Sequence, residues 1–363
     1  MDDLKLGILG SGQLGWMMIQ EGRKLPVKFG VLDSGEKGSA AAISDFYMGP
    51  DDYRKFVDSC DFVTYEFENV RRDGLEYAEE QGKLRPGLLP VNLKKDRSLE
   101  KDYLVSGGFP TAPFTVAETT SEARRSCRDF GKSVIKYTSG GYDGKGQIYV
   151  RNDADIEKLE IHGKCIVEEM IDFDCEISVI GSRDSSGRVV MHTPSFNYNQ
   201  SGILLYNYAP FPNRKAMEIT SRLLNRLQYV GVIGVEFFLR GEDVIINEFA
   251  PRVHNTGHHT LSGSSISQFE QHVRTVLDLP VPDANLIMPG GIVNIIGRGL
   301  DSDLLNELLQ NNGTKVYWYG KNDARRKRKM GHVNLLAENL NELREKISST
   351  MELVYPDGVQ NYL

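Results

Sequence analysis

Three clusters of residues could do chemistry by type and spacing. The first is 7-GILGSGQLG-15, where Gly10, Gly12 and Gly15 form a G-x-G-x-x-G turn between an apolar run and a helical pattern. Such a turn lets backbone N–H groups approach an anion at a helix N-terminus. Asp33 ends the next apolar run, 28-KFGVLD-33, which admits a dinucleotide, and so a nicotinamide-dependent dehydrogenase. The motif alone is weak, because many doubly wound domains open this way. The second cluster is 139-SGGYDGKGQ-147, with Lys136 before it and Lys145 inside it. A glycine-rich tip between two strand patterns can close its amides over phosphate oxygens, and the lysines supply compact positive charge. A plain flexible hairpin is the alternative.

The third cluster lies in adjacent apolar runs, 232-VIGVEFFL-239 and 243-DVIINEF-249. A carboxylate in such a strand is costly to bury unless paired or bound to a cation. If Arg240 faces Val244, Glu236 sits opposite Glu248, and the two could hold Mg²⁺ on nucleotide phosphates. Slipped by one residue, Glu236 faces Asn247 instead. The sequence leaves both registers open.

Other signals are weaker. His254, His258 and His259 include an i, i+4 pair that resembles a zinc spacing, but Asn255, Thr256 and Gly257 between them do not favour a helix. His272 and His332 read as packing residues. The run 325-RRKRK-329 could be a nucleic-acid patch, a solvated loop or a phosphate clamp. A net charge of −7 argues against a nucleic-acid coat. Cys60, Cys127, Cys165 and Cys175 form no C-x-x-C and read as free thiols in a reducing cytoplasm. No apolar run of membrane-spanning length and no leader pattern is expected.

The elements that must position these residues follow from periodicity. Strands are predicted at 5–10, 28–33, 45–49 and 61–67, with helices from Gln13 to Lys24 and Arg71 to Gln81, implying a doubly wound parallel sheet. The stretch 85-RPGLLP-90 is the first predicted boundary. A helix over 96–106 is capped by Asp96. Strands follow at 133–137, 147–150, 165–170 and 175–181, then helices at about 213–230 and 264–278. The remainder, 283–363, reads as a small α+β domain.

With its lysine-bearing glycine lid and acidic strands about a hundred residues later, the chain resembles the N5-carboxyaminoimidazole ribonucleotide synthase family of ATP-grasp enzymes. The matching runs are 7-GILGSGQLG-15, 63-VTYEFENV-70, 134-VIKYTSGGYDGKGQ-147, 230-VGVIGVEFF-238, 246-INEFAPRVHNTGH-258, 266-ISQFEQH-272 and 329-KMGHVNLL-336, in family order. The resemblance implies an α/β fold, α+β in parts. Its domains would be a pre-ATP-grasp domain over 1–93, an ATP-grasp domain over 94–282 with its lid at about 115–172, and a C-terminal domain over 283–363. It also implies ATP with Mg²⁺ or Mn²⁺, bicarbonate and 5-aminoimidazole ribonucleotide as reactants, a cytoplasmic homodimer, and no nucleic-acid or membrane partner.

Residue roles carry over by motif. Arg97 and Lys136 meet ATP phosphates under the lid Gly140, Gly141, Tyr142, Asp143, Gly144, Lys145, Gly146 and Gln147. Glu168, Glu169, Met170 and Ile171 line the adenine pocket, with Glu176 on the ribose. Glu236 and Glu248 bind metal, with Asn247 beside them. Arg252, His254 and Lys329 are catalytic. Gln13, Leu14, Glu66, Glu68, Asn69, Tyr142, Asn255, His258 and Arg328, together with Lys329, hold the ribonucleotide. The chain departs from the family at Trp16, Asn199, Ser201, Leu205 and His259, where Arg, His, Asp, Arg and Trp are usual. The lost basic positions put the ribonucleotide side in doubt. A formate-using glycinamide ribonucleotide transformylase and a non-catalytic ATP-binding regulator are the other readings.

Overall fold

The structure is a computed structural model and describes residues 4–33, 38–139 and 146–363. The N-terminal part alternates β1 (Leu4–Leu9), α1 (Gln13–Gly22), β2 (Val27–Leu32), β3 (Phe46–Met48), α2 (Tyr53–Asp58), β4 (Phe62–Tyr65) and α3 (Arg72–Glu80). Its sheet is parallel, in the order β3-β2-β1-β4. Leu6, Ile8, Phe29 and Val31 pack with α1 on one face, while Leu9, Leu32 and Val63 pack with α2 and α3 on the other. Burial on both faces is why these strands read as near-continuous apolar runs.

The expected boundary at 85–90 is a helix in its second half. α4 (Leu88–Lys95) carries Pro90 in its first turn, where a missing N–H costs nothing. Val91 belongs to the N-terminal core and Leu93 to the central one, so α4 joins the two. α5 (Arg97–Ser106) follows at once, and the Asp96 carboxylate caps it by accepting from Ser98 N–H at 2.8 Å.

A small antiparallel sheet comes next: β5 (Phe114–Ala117), α6 (Thr120–Phe130), β6 (Ser133–Tyr137), β7 (Gln147–Val150), α7 (Asp153–Lys158) and β8 (Cys165–Glu169), in the order β5-β8-β6-β7. Thr119 and Glu122 form a capping box that starts α6. β6 and β7 flank the glycine lid, whose residues Gly140–Lys145 lie outside the described residues.

The large sheet is built from β9 (Cys175–Arg183), β10 (Val189–Met191), β11 (Ser195–Gln200), β12 (Ile203–Ala209), β13 (Gly231–Arg240) and β14 (Asp243–Ala250), with α8 (Arg214–Arg226) on one face. Then come α9 (Thr260–Gly263), α10 (Gln268–Val276), β15 (Gly290–Ile296), α11 (Ser302–Leu309), β16 (Thr314–Trp318), β17 (Lys329–Leu336) and α12 (Leu340–Val354). α10 starts later than its periodicity suggested, because Ser267 caps it. The C-terminal segment does not close a sheet of its own. β15 pairs with β12, so the strand order runs β14-β13-β9-β11-β12-β15-β17-β16, with β10 on β9. Ile203, Leu205 and Tyr208 of β12 share a core with the C-terminal residues. α1 packs on α10, which fixes the N-terminal unit to the central one. Among the described residues no helix is long and apolar enough to cross a membrane.

Candidate active site

The β13–β14 hairpin resolves the register question in an unexpected way. Its two-residue turn pairs Arg240 with Asp243 and Leu239 with Val244, the register that would bring Asn247 opposite Glu236. A β-bulge after Ile246 then inserts Asn247 as an extra residue, and Glu236 pairs with Glu248. The bulge has outside support. Residues 110–111 run beside β14, with Ile246 N–H donating to Pro110 C=O at 2.7 Å and the Thr111 hydroxyl to Ile246 C=O at 3.2 Å. Lys101 Nζ donates to the Asn247 carbonyl at 3.4 Å.

The two carboxylates face a cavity of about 1040 Å³ between the three units. Glu248 is open to that cavity yet enclosed by its walls, with Lys94 Nζ at 3.3 Å. Lys94 foremost holds the Glu248 carboxyl below its ordinary value, against burial and aided by Lys136 and Arg97. Burial, then the charges of Glu248 and Glu176, push Glu236 up. The pair therefore holds a proton readily and gains from a cation. Two oxygen-donor side chains suit a hard divalent ion. Among the described residues no group of three or more His, Cys, Asp or Glu is arranged for a metal. The protein thus offers a partial shell, which fits Mg²⁺ completed by phosphate and water, and does not fit the zinc reading of His254 and His258.

Cations surround the acidic pair. Lys136 and Lys101 both reach Glu168, each at 2.6 Å. Burial opposes the Glu168 charge, but the two ammonium groups win and bring its carboxyl down to about 2. The Glu168 side chain therefore ties Lys136 of β6 to Lys101 of α5. Arg97 Nη1 donates to Tyr137 C=O at 2.7 Å. Glu169, Met170 and Ile171 line the same cavity, with Phe173 stacked on Phe238 at 4.5 Å between ring centroids. Glu176 accepts from Asn199 Nδ2 at 2.8 Å, and Asn199 and Ser201 both line the cavity themselves. Ser139 and Gln147 line it too, so both ends of the lid open there. Gly146 is described, at φ +74°. The roles expected of Gly140, Gly141, Tyr142, Asp143, Gly144 and Lys145 fall outside the described residues.

Gln13, Leu14, Glu68, Asn69, Asn255, His258 and Lys329 line the same cavity. Arg252 Nε donates to Glu68 at 3.1 Å. His254 Nε2 lies 3.8 Å from Glu236, and its Nδ1 is 2.8 Å from the Thr256 hydroxyl. His254 begins a 3₁₀ turn at Asn255–Gly257, so the three histidines do not share a helix face. Burial keeps His258 well below its usual range and His259 at about 4. A second cavity of about 710 Å³ adjoins the first and shares Gln13, Phe67 and Asn69 with it. Arg328 lines this smaller cavity while Lys329 lines the larger, because adjacent residues at the start of β17 face different ways.

Glu66 has a structural partner of its own. The Glu66 carboxylate accepts from Gly12 N–H and, at 2.9 Å, from Gly15 N–H. One N–H falls on each oxygen, so Glu66 holds the glycine turn and keeps further lone pairs at the smaller cavity it lines. A Cβ at Gly10, where φ is +102°, would stand 2.6 Å from Glu66 Cγ, and one at Gly12 2.7 Å from its Oε1. The glycines make room for a side chain of the protein itself. Asp33 borders the smaller cavity.

Three departures from the family pattern line neither cavity. Trp16 packs on the core under α1, Leu205 is buried in the C-terminal core, and His259 is bound to Thr256 C=O at 2.9 Å. Within 325-RRKRK-329, Arg326 is occupied by the carbonyls of Gln360 and Leu363, and Arg325 by Asp323 at 2.7 Å. Sequence reasoning missed Lys94, Glu100 and Lys101, whose charges in helical segments look like a solvated face.

The fold and this site define an ATP-grasp ligase. Residues 102–269 match the ATP-grasp domain, 3–92 the ribonucleotide synthetase preATP-grasp domain, and 291–346 the phosphoribosylaminoimidazole carboxylase C-terminal domain. An N5-carboxyaminoimidazole ribonucleotide synthase of Saccharolobus solfataricus is 46% identical over 98% of this chain and 97% of its own length. The chain belongs to the N5-carboxyaminoimidazole ribonucleotide synthase family. The crystal structure of a phosphoribosylaminoimidazole carboxylase ATPase subunit from Aquifex aeolicus is 41% identical, covering 97% of this chain and 100% of that one, with a TM-score of 0.84. An Aspergillus clavatus N5-carboxyaminoimidazole synthase in complex with ADP and 5-aminoimidazole ribonucleotide is 26% identical, covering 98% and 99%, with a TM-score of 0.89.

Proposed function

We propose that the two ends of the large cavity divide one reaction between them: ATP-dependent carboxylation of 5-aminoimidazole ribonucleotide to its N5-carboxy form, in purine biosynthesis. The observation that carries this is the bulge-made pairing of Glu236 with Glu248, in one cavity also lined by Lys136, Arg97, Arg252, His254 and Lys329. Lys136 and Arg97 bind the ATP phosphates, and residues 168–171 and Glu176 take the adenosine. Glu236 and Glu248 would hold Mg²⁺, beside Asn247; bound there, the ion offsets phosphate charge during transfer. Arg252 orients bicarbonate, with Glu68 fixing its guanidinium. Transfer of the terminal phosphoryl group gives carboxyphosphate and ADP. The exocyclic amine of the ribonucleotide then forms the new C–N bond and phosphate leaves. Gln13, Asn69, Asn255 and His258 position the ribonucleotide, and Lys329 and Arg328 meet its anionic groups. Carboxyphosphate hydrolyses readily, so the reaction needs water kept from the cavity.

The dehydrogenase alternative loses its support, because Glu66 fills the place a pyrophosphate would need. The four unpaired thiols, three of them buried, favour a reducing cytoplasmic setting. A homodimer is inferred from the family resemblance, and sedimentation tests it. The activity test is ADP release with each reactant in turn. Turnover should need both bicarbonate and 5-aminoimidazole ribonucleotide; formate-dependent turnover without bicarbonate would refute the reading.

A further inference from the structure

Lys94 sits in the last turn of α4, outside the motifs that define the nucleotide site. Its ammonium lies 2.8 Å from Glu100 Oε2 and 3.3 Å from Glu248 Oε2. The two partners differ. The Glu100 side chain is 4% exposed and also accepts from Phe249 N–H at 3.2 Å, so it is a fixed anchor. The Glu248 side chain is 49% exposed and faces the cavity. Lys94 itself lines that cavity beside Arg97. An ammonium has three donors, and two carboxylates use two of them.

We propose that Lys94 is a third phosphate-binding cation, anchored by Glu100 and aimed at the terminal phosphate of ATP. The carboxylate it touches is the one that faces Glu236. A triphosphate drawn to that pair brings its last phosphate beside the ammonium. When a metal ion engages Glu248, Lys94 keeps Glu100 and turns its remaining donors to phosphate oxygens. ADP lacks the group Lys94 would meet, so Lys94 separates the two nucleotides. In this way α4, the helix that joins the N-terminal and central cores, contributes a side chain to the transferred group.

The inference rests on the nucleotide reading above, and the experiment keeps the two apart. Binding of ADP and of the non-hydrolysable triphosphate adenylyl imidodiphosphate, each with Mg²⁺, is measured calorimetrically on the full chain. Lys94→Met alone strands the buried Glu100 and can cost stability, so the deciding variant is Lys94→Met with Glu100→Gln, which removes both charges. The triphosphate analogue should bind about ten to a hundred times more weakly, from a lost charged hydrogen bond, with ADP affinity within about twofold. Equal weakening of both nucleotides, no change in either, or failure of the double variant to fold would each overturn the proposal. Failure of the unaltered chain to bind either nucleotide would instead overturn the nucleotide reading.

Discussion

The N-terminal glycine turn and the β13–β14 hairpin each bring a glutamate to a place where charge matters, and the two are completed differently. At the turn, Glu66 accepts from Gly12 and Gly15 at the start of α1, and the anion site of the helix is filled from within. At the hairpin, Glu236 and Glu248 bring two carboxyl groups into one enclosed place, with Lys94 on one and His254 near the other. The first carboxylate is met by two amides of the chain, while the second pair lines an open cavity. The glycine spacing therefore announced that an anion would be held, without saying that the anion belongs to the chain.

The comparison breaks first at Glu248. Glu248→Gln should lower kcat by about a thousandfold or more, since it removes charge stabilisation of the transferred phosphoryl group. Its thermal unfolding should barely move, because the site is already shaped. Near-normal turnover would remove Glu248 from the chemistry. Glu66 should behave the other way round. Glu66→Ala leaves two amides without their acceptor and should cost about 1–3 kcal/mol of stability. It should also raise KM for the ribonucleotide more than for ATP, because Gln13 sits on that turn. An unchanged melting temperature would show that the turn is not held by Glu66.

A smaller effect concerns acid. Glu168 has its folded value at about 2, below the unfolded carboxylate near 4.3. The unfolded state binds its proton first as pH falls, so this stabilisation is full above about pH 4.5 and is lost toward pH 2. Denaturant unfolding of Glu168→Gln between pH 2 and 6 should show a flatter acid limb than the unaltered chain. An identical slope would mean that Lys101 and Lys136 do not hold that carboxylate.

What the sequence disclosed follows the same division. Strands buried on both faces, the Asp96 cap and the lone glutamates in apolar strands were legible because each is a local conflict with a local answer. The register at Glu236 was not, because the bulge at Asn247 depends on Pro110 and Thr111, more than a hundred residues away. Spacing does not separate Glu66 from Glu68, yet one serves the glycine turn and the other pairs with Arg252 at the cavity wall. The C-terminal strands read as a separate small domain, since nothing in 283–363 shows that β15 will find β12. Trp16 and Leu205 pack on cores and line neither cavity, which the sequence alone does not show.

The account's centre is that Glu236 and Glu248 together hold a metal ion on the nucleotide. Electron paramagnetic resonance of Mn²⁺, titrated into the full chain with ADP, reads that directly. The unaltered chain should bind one Mn²⁺ per chain only when ADP is present, and the Glu236→Gln, Glu248→Gln double variant should lose that signal while remaining folded. Undiminished nucleotide-dependent Mn²⁺ binding in the double variant would contradict the account.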